Sequence, residues 1–342
     1  MSNWIDLKNN HRLHKILSER AVIIRLVREW FWGFNFTEMD TPVALKLPGQ
    51  EPHLNPIPVT LHDPNGQAVN FYLQTSPEFA LKKILAAGWQ KIFQICKCFR
   101  DYESFGGTHN TEFTMIEWYR APGTLADIMD DTENLFKFVA EKLNKKEIVY
   151  KNKSINITEA WERLSMKAIW QKYLSVNLDN YLDNKSIATL ARAKKYTVTD
   201  DEPYEDIFYK IFLNEIEQKL GLENPIMIYD YPAVMCSLSK QSKNSGYAER
   251  FELYIGGLEI ANAFGELTDA KEQNRLLTRD HSQRKAADKP TWPVDQEFIS
   301  AVDAMSKNAG GIALGVDRMV LLFTDAKDIN EVIFQSVYDQ IS

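Results

Sequence analysis

Residues 91–119 read KIFQICKCFRDYESFGGTHNTEFTMIEWY. The first nine form a short apolar run, residues 101–111 are polar and hold two glycines, and Phe113 to Tyr119 is apolar again. Two runs of strand length around turn-forming residues predict a hairpin with a long loop. Long loops at strand ends often carry function. Arg100 stands at the exit of the first strand, where its guanidinium can fork around a phosphate or carboxylate. Glu103 and His109 lie in the loop, and Phe113 opens the return strand with an aromatic face suited to stacking on a base. Glu117 and Tyr119 are two apart and so share one strand face, where a carboxylate beside a phenol suits an ammonium group.

Three other segments carry chemistry. Phe251 to Leu267 reads as two strand segments around the turn signal Gly256-Gly257. Glu252 and Glu259 fall on either side of that turn. Two carboxylates approaching across a hairpin repel unless a cation is present, and magnesium carried with nucleotide phosphates is the natural one. Asn262, Phe264 and Glu266 follow at alternating positions, the first two interleaved with Ala261 and Ala263. Near the other end, residues 310–318, GGIALGVDR, form a strand of small and apolar residues that runs into a helix and delivers Arg318 at the junction. Small residues admit a ligand close to the backbone, and the arginine suits its phosphates. Glu78 follows Pro77 at a helix start, a place that favours an acid in any case.

The remaining chain supplies the frame. Residues 14–32 predict a helix with Ile16, Ile23, Val27, Trp30 and Phe31 on one face, and 34–42 alternates like a strand. Residues 46–68 hold five prolines and two glycines and read as a loop. A strand at 71–74 leads to a helix through Leu85, capped by Thr75 or Ser76, and Thr124 opens a long amphipathic helix. From about 145 to 225 the periodicity turns helical, as in an inserted module, and 270–307 is charged and mostly helical. Hairpins with helices outside them predict an α+β fold, an antiparallel sheet flanked by helices. With 342 residues and 44% hydrophobic content the chain can bury a large core. A net charge of −7 without a basic run argues against a protein whose main task is gripping nucleic acid. Cys96, Cys98 and Cys236 read as reduced thiols, and no apolar run reaches signal or membrane-span length, so a cytoplasmic protein with no membrane association is expected.

Taken together, these segments resemble the class II aminoacyl-tRNA synthetases and, within them, the lysyl branch. Phe99-Arg100 with the Phe113 strand is similar to their motif 2, Gly311 to Arg318 to motif 3, and the helix at 14–32 with the strand to Pro42 to the dimer-forming motif 1. His109-Asn110, Glu112-Phe113-Thr114-Met115 and Glu259-Ile260 through Glu266 are of the lysyl type. The resemblance covers about residues 12–335, with its first helix beginning near residue 14, so the anticodon-binding domain of a lysyl-tRNA synthetase is not expected ahead of it. The stretch TMIEWYR, 114–120, resembles the elongation factor P–lysine ligases, a truncated branch of that family.

The resemblance implies one class II catalytic domain over 1–342 with an insertion at 145–225. It implies ATP and Mg2+, activation of lysine or (R)-β-lysine as the adenylate, and transfer to a lysine of elongation factor P by a homodimer, with tRNA not the acceptor. By the same implication Arg100 binds the α-phosphate and carboxylate, and Phe113 and Arg318 enclose the adenine. His109 and Glu103 then lie near the ATP tail and base edge, and Glu252 and Glu259 hold magnesium. Glu78 faces the amino group near the reacting carboxylate; Glu117, Tyr119 and Glu266 meet the distal ammonium; Asn262 orients the carboxylate, with Phe264 beside it. Thr108 replaces an arginine usual before the His-Asn pair, in a loop one residue longer than expected, and Thr111 replaces a proline. Ala261, Ala263 and Ala313 stand where lysyl enzymes have glycine, so each methyl is expected to take space in the amino-acid pocket. A minimal tRNA-charging enzyme and a non-catalytic regulatory module remain the alternatives.

Overall fold

The computed structural model describes residues 4–341. Backbone proximity divides them into two compact units: one holds the described residues up to Gly123 and those from Thr268 on, the other is Thr124–Leu267. Helix makes the larger share in both and strands form their centres, so the class is α+β.

In the first unit the helix His11–Gly33 opens at Asn10, whose side chain accepts the backbone N–H groups of Arg12 and Leu13. That cap satisfies two of the donors a helix start leaves open. Ile16, Ile23, Leu26, Val27, Trp30 and Phe31 form its buried stripe. Burying each is worth about 1.5–3 kcal/mol relative to exposure, which is what holds so polar a helix in place. The strand predicted at 34–42 shrinks to Thr37–Glu38. Phe34 closes the helix through bonds to the Trp30 and Phe31 carbonyls, Asn35 takes a left-handed φ of 61°, and Phe36 packs on Phe31 at 5.1 Å. Extended pairing therefore starts only at Thr37, which runs parallel to Ile92. The sheet continues through Lys91–Phe99, Glu112–Arg120 and Gly310–Gly315, all antiparallel. The loop predicted at 46–68 contains a strand, Pro58–His62, paired with Ala68–Leu73. Its β-forming Val59-Thr60-Leu61 follows the last closely spaced proline, and the turn is held by Asp63, which accepts from the N–H groups of Asn65 and Gln67.

In the second unit the order is Leu258–Gly265, Tyr247–Ile255, Ile226–Pro232 and Glu162–Ser165. The last pair is parallel, so both units depart from a purely antiparallel sheet at an edge strand. The helix Leu125–Lys142 starts on Thr124 in a reciprocal capping box with Asp127 and packs on the Tyr247–Ile255 and Leu258–Gly265 strands. Segment 145–225 begins as strand, with Glu147–Tyr150 and Lys153–Asn156 joined through Lys151 and Asn152, both at positive φ. Helices Met166–Leu174, Asn184–Ala193 and Tyr204–Glu215 follow and share one core around Trp170, Ile187, Phe208 and Phe212. Among the described residues no helix is long and apolar enough to cross a membrane.

Candidate active site

The first unit gathers nine of the expected residues. Register places Gln94, Glu117 and Ala313 side by side on one face of the sheet. Ala313 is partly exposed between buried neighbours, as an access surface requires. Glu117 is 1% exposed, accepting from Ser76 Oγ at 2.5 Å and from the Tyr119 hydroxyl at 2.7 Å. Burial, then the charge of Glu78, pushes the Glu117 carboxyl up to about 8, although the two hydroxyls and Lys82 pull it down. Glu78 starts the helix Glu78–Ala86 and is ion-paired with Lys82, four residues on, which is itself buried. Neither Thr75 nor Ser76 is the helix cap residue, which is Pro77; Ser76 Oγ accepts the Glu78 N–H at 3.0 Å and ties that helix to Glu117.

Arg100 lies over the Phe113 ring at 5.1 Å, with its Nε buried and unpartnered. Asn110, next to His109, is 3% exposed and neither atom of its carboxamide has a partner. Leaving such groups unmet costs about 1–3 kcal/mol each, a cost that a polar ligand would remove. Arg318 Nη2 meets His109 Nε2 at 2.9 Å, and its Nε donates to the Thr108 carbonyl at 3.2 Å. Desolvation and then Arg318 hold the imidazole below its ordinary value, while Glu103 opposes them. The loop that carries these residues is pinned at Gly107, whose N–H donates to Asp328 Oδ2 at 2.7 Å and whose carbonyl accepts from the Ile329 N–H at 2.9 Å. Asp317, at the head of the helix Val316–Thr324, accepts from Arg20 Nη1 at 2.5 Å and from the Thr114 N–H at 2.7 Å. One carboxylate thus locks three segments of the predicted motifs together, and neither Asp317 nor Arg20 is picked out by the sequence pattern.

The second unit holds the other five. Leu253 pairs with Ala261 and Tyr254 with Glu259, so Ile260 is an extra residue in its strand. This bulge sets Asn262 opposite Glu252 and Phe264 opposite Arg250, on the face that also carries Glu259. Ala261 and Ala263 turn to the opposite, buried face, beside the helix Leu125–Lys142, so the expectation that their methyls narrow a pocket is corrected. Glu252 is 2% exposed and accepts from Arg250 Nη2 at 2.6 Å and from the hydroxyls of Tyr231 at 2.6 Å and Tyr254 at 2.5 Å. Arg250 Nη2 also donates to the Tyr209 hydroxyl at 3.1 Å, its Nε donates to Asn262 Oδ1 at 3.2 Å, and its guanidinium lies over Tyr231 at 4.6 Å. Arg250 is the hub of this face. The only sequence signal for it is its position two before Glu252 on the same strand face. Glu266 is fully buried just past the strand end, where its segment bridges to Ser239.

No group of three or more metal-ligating side chains occurs among the described residues. Glu252 and Glu259 nevertheless offer hard oxygen donors on one face, the set magnesium takes when phosphates and water complete its shell. Glu252 is already matched by Arg250 and two phenols, so a cation there would share its oxygens with those donors.

The model for class II tRNA synthetases of the D, K and N type matches residues 1–336. The chain is 34% identical over 339 residues to an elongation factor P–(R)-β-lysine ligase of Haemophilus influenzae (strain PittGG), covering 97% of each protein. It is 34% identical to a ligase of that name from Proteus mirabilis (strain HI4320), covering 99% of each. A lysine–tRNA ligase of Campylobacter jejuni is 33% identical over 96% of this chain and 65% of its own length. With motif residues, strand register and family model in agreement, the chain belongs to the class II tRNA synthetases of the D, K and N type.

Proposed function

We propose that this protein is an AMP-forming ligase. It activates lysine or (R)-β-lysine with ATP and transfers it to a lysine side chain of elongation factor P. The observation that carries the reading is the end-to-end match to relatives of that name. The unmet Arg100 Nε and Asn110 carboxamide support it, because a polar substrate would satisfy them.

In the first step a substrate carboxylate oxygen attacks the α-phosphorus and pyrophosphate leaves. Arg100 holds the two anionic partners together and offsets charge in the transition state. Phe113 and Arg318 take the adenine, with His109 and Glu103 at its edge and tail. Glu117 with Tyr119 takes the distal ammonium, as does Glu266, and Glu78 serves the amino group nearer the carboxylate. Asn262 and Phe264 hold the amino-acid backbone. Magnesium, held by Glu259 with Glu252, would neutralise phosphate charge. In the second step the acceptor amine attacks the adenylate carbonyl and AMP leaves. No covalent enzyme intermediate is required. In this reading both compact units serve one catalytic domain, with 145–225 inserted in it, in a cytoplasmic homodimer.

The test is incubation with ATP, labelled lysine or β-lysine, and either elongation factor P or tRNA. Label on the factor is expected. The 33% identity to a lysine–tRNA ligase favours tRNA charging as the second reading, and label on tRNA alone would establish it.

A further inference from the structure

The loop around Glu51 is built more firmly than a connection needs. Arg284, buried in the helix Ala270–Ala286, donates from Nη1 to the carbonyls of Glu51 at 2.9 Å and Leu54 at 2.7 Å, with its guanidinium over Trp292 at 4.7 Å. Trp292 Nε1 donates to the Pro48 carbonyl at 2.7 Å, and Lys289 Nζ to the Pro52 carbonyl at 2.7 Å. Gln50 Nε2 donates to the Pro293 carbonyl at 3.1 Å. These clamps fix the loop and leave the Glu51 carboxylate to other work. Its Oε2 is buried and has no hydrogen-bond partner. It lies so close over Gly49 that a Cβ there would sit 2.4 Å from Oε2. The loop lies against the strand exit at Arg100, where the Asn55 carbonyl accepts from the Asp101 N–H at 2.8 Å, and the charges acting on Glu51 include Glu78, Arg100 and Asp280, with Arg284 feeling it in turn. Burial first, then Glu78, raises its carboxyl to about 7.

We propose that Glu51 is a substrate-binding residue that takes the amino group on the α- or β-carbon, next to the carboxylate held by Arg100. This rests on the function proposed above and adds a residue to it. Glu78 alone is poorly suited to the task, because Lys82 already neutralises it. An ammonium arriving at that pair meets two charges that cancel. Glu51 Oε2 has no hydrogen-bond partner to give up, and an arriving ammonium favours its ionised form, while Arg100 supplies the positive charge. The two match a substrate whose ammonium and carboxylate are one or two carbons apart.

The experiment compares wild type, Glu51→Gln and Gly49→Ala in pyrophosphate exchange with lysine and β-lysine. The competitor is 6-aminohexanoate, which keeps the carboxylate and distal amine of both but lacks the amine in question. Glutamine keeps the shape of the carboxylate and removes its charge. Alanine at 49, which keeps the charge, displaces the carboxylate and provides the second variant if the first folds poorly. Each variant is expected to raise KM for the diamino acid about tenfold or more, the worth of one charge-assisted hydrogen bond. KM for ATP and the inhibition constant of 6-aminohexanoate should stay within about twofold of wild type. A rise in that inhibition constant in step with KM would make Glu51 a support of the loop only, and an unmoved KM would remove it from the site. Either result overturns the proposal while wild-type exchange stands. Wild type failing to exchange with both diamino acids instead overturns the proposed function, and this proposal with it.

Discussion

Glu117→Gln should stabilise the free protein at alkaline pH while crippling it as a lysine-binding enzyme. The carboxyl is 1% exposed, and burial followed by Glu78 raises it to about 8 from an ordinary 4.5. The folded state therefore keeps a proton that the unfolded chain releases above pH 4.5. The sign follows: unfolding releases a proton between pH 4.5 and about 8, so this group makes the fold less stable as pH rises through that window. At about 1.4 kcal/mol per unit, the loss by pH 8.5 is on the order of 4 kcal/mol. Glutamine has no charge to desolvate and keeps an oxygen for the Ser76 hydroxyl. Thermal or urea unfolding should show the two proteins within about 1 kcal/mol at pH 5. At pH 8.5 the variant should be more stable by up to a few kcal/mol. Substrate binding moves the other way, since an ammonium needs the ionised form. Wild-type KM for lysine should fall as pH rises from 6 to 8.5. The variant should lose that dependence and bind about 30- to 5000-fold more weakly, from the 2–5 kcal/mol cost of removing one partner of a buried charge pair. A stability difference that shrinks between pH 5 and 8.5 would mean that Glu117 is already ionised in the free protein, and would refute the reasoning.

Three further outcomes follow from the geometry. Ala313 sits opposite Glu117 and is partly exposed, so Ala313→Gly should raise the kcat/KM ratio of α-lysine to β-lysine by about fivefold or more, the low end of what a methyl contributes in a tight pocket; an unchanged ratio in exchange assays would make Ala313 packing only. Asp317→Asn removes the partner of Arg20, whose side chain is 15% exposed, and should cost about 3 kcal/mol in urea unfolding, with a double-mutant cycle against Arg20→Met giving a coupling above about 1 kcal/mol; strict additivity would show the pair to be weak. Glu259→Gln should raise the magnesium concentration for half-maximal exchange about tenfold, since one of two carboxylate donors is lost on a partly exposed strand face; an unaltered magnesium curve would place the cation elsewhere.

Local signals account for what the sequence made legible. The hairpin Lys91–Arg120, the capped helix Leu125–Lys142 and the strand–helix 310–324 each rest on a short-range period or cap, and each stands as read to within a few residues. What the pattern hid depends on distant partners. Arg250 gains its place from Tyr209, 41 residues away, and from Tyr231, and Asp317 from Arg20, 297 residues away. Two aromatic residues after the helix end, Phe34 and Phe36, consumed the alternation that suggested a longer first strand.

The bulge at Ile260 is the sharpest case, because it reverses which side chains face the site. Counting back evenly from Gly256-Gly257 would set Ala261 opposite Glu252 and turn Asn262 and Phe264 to the back. One extra residue flips every later position, so Asn262 meets Glu252 and both alanines go under the helix Leu125–Lys142. Three alanines that look equivalent in sequence thus separate into one on the sheet face of Glu117 and two in the core. Ala261→Gly, at a site 3% exposed, should cost about 1 kcal/mol through lost packing and added chain freedom. It should leave the α- to β-lysine ratio unchanged where Ala313→Gly shifts it. Measured side by side, a ratio that moves with Ala261 would mean that the strand runs without the bulge, and Asn262 would then lose its place beside Glu252.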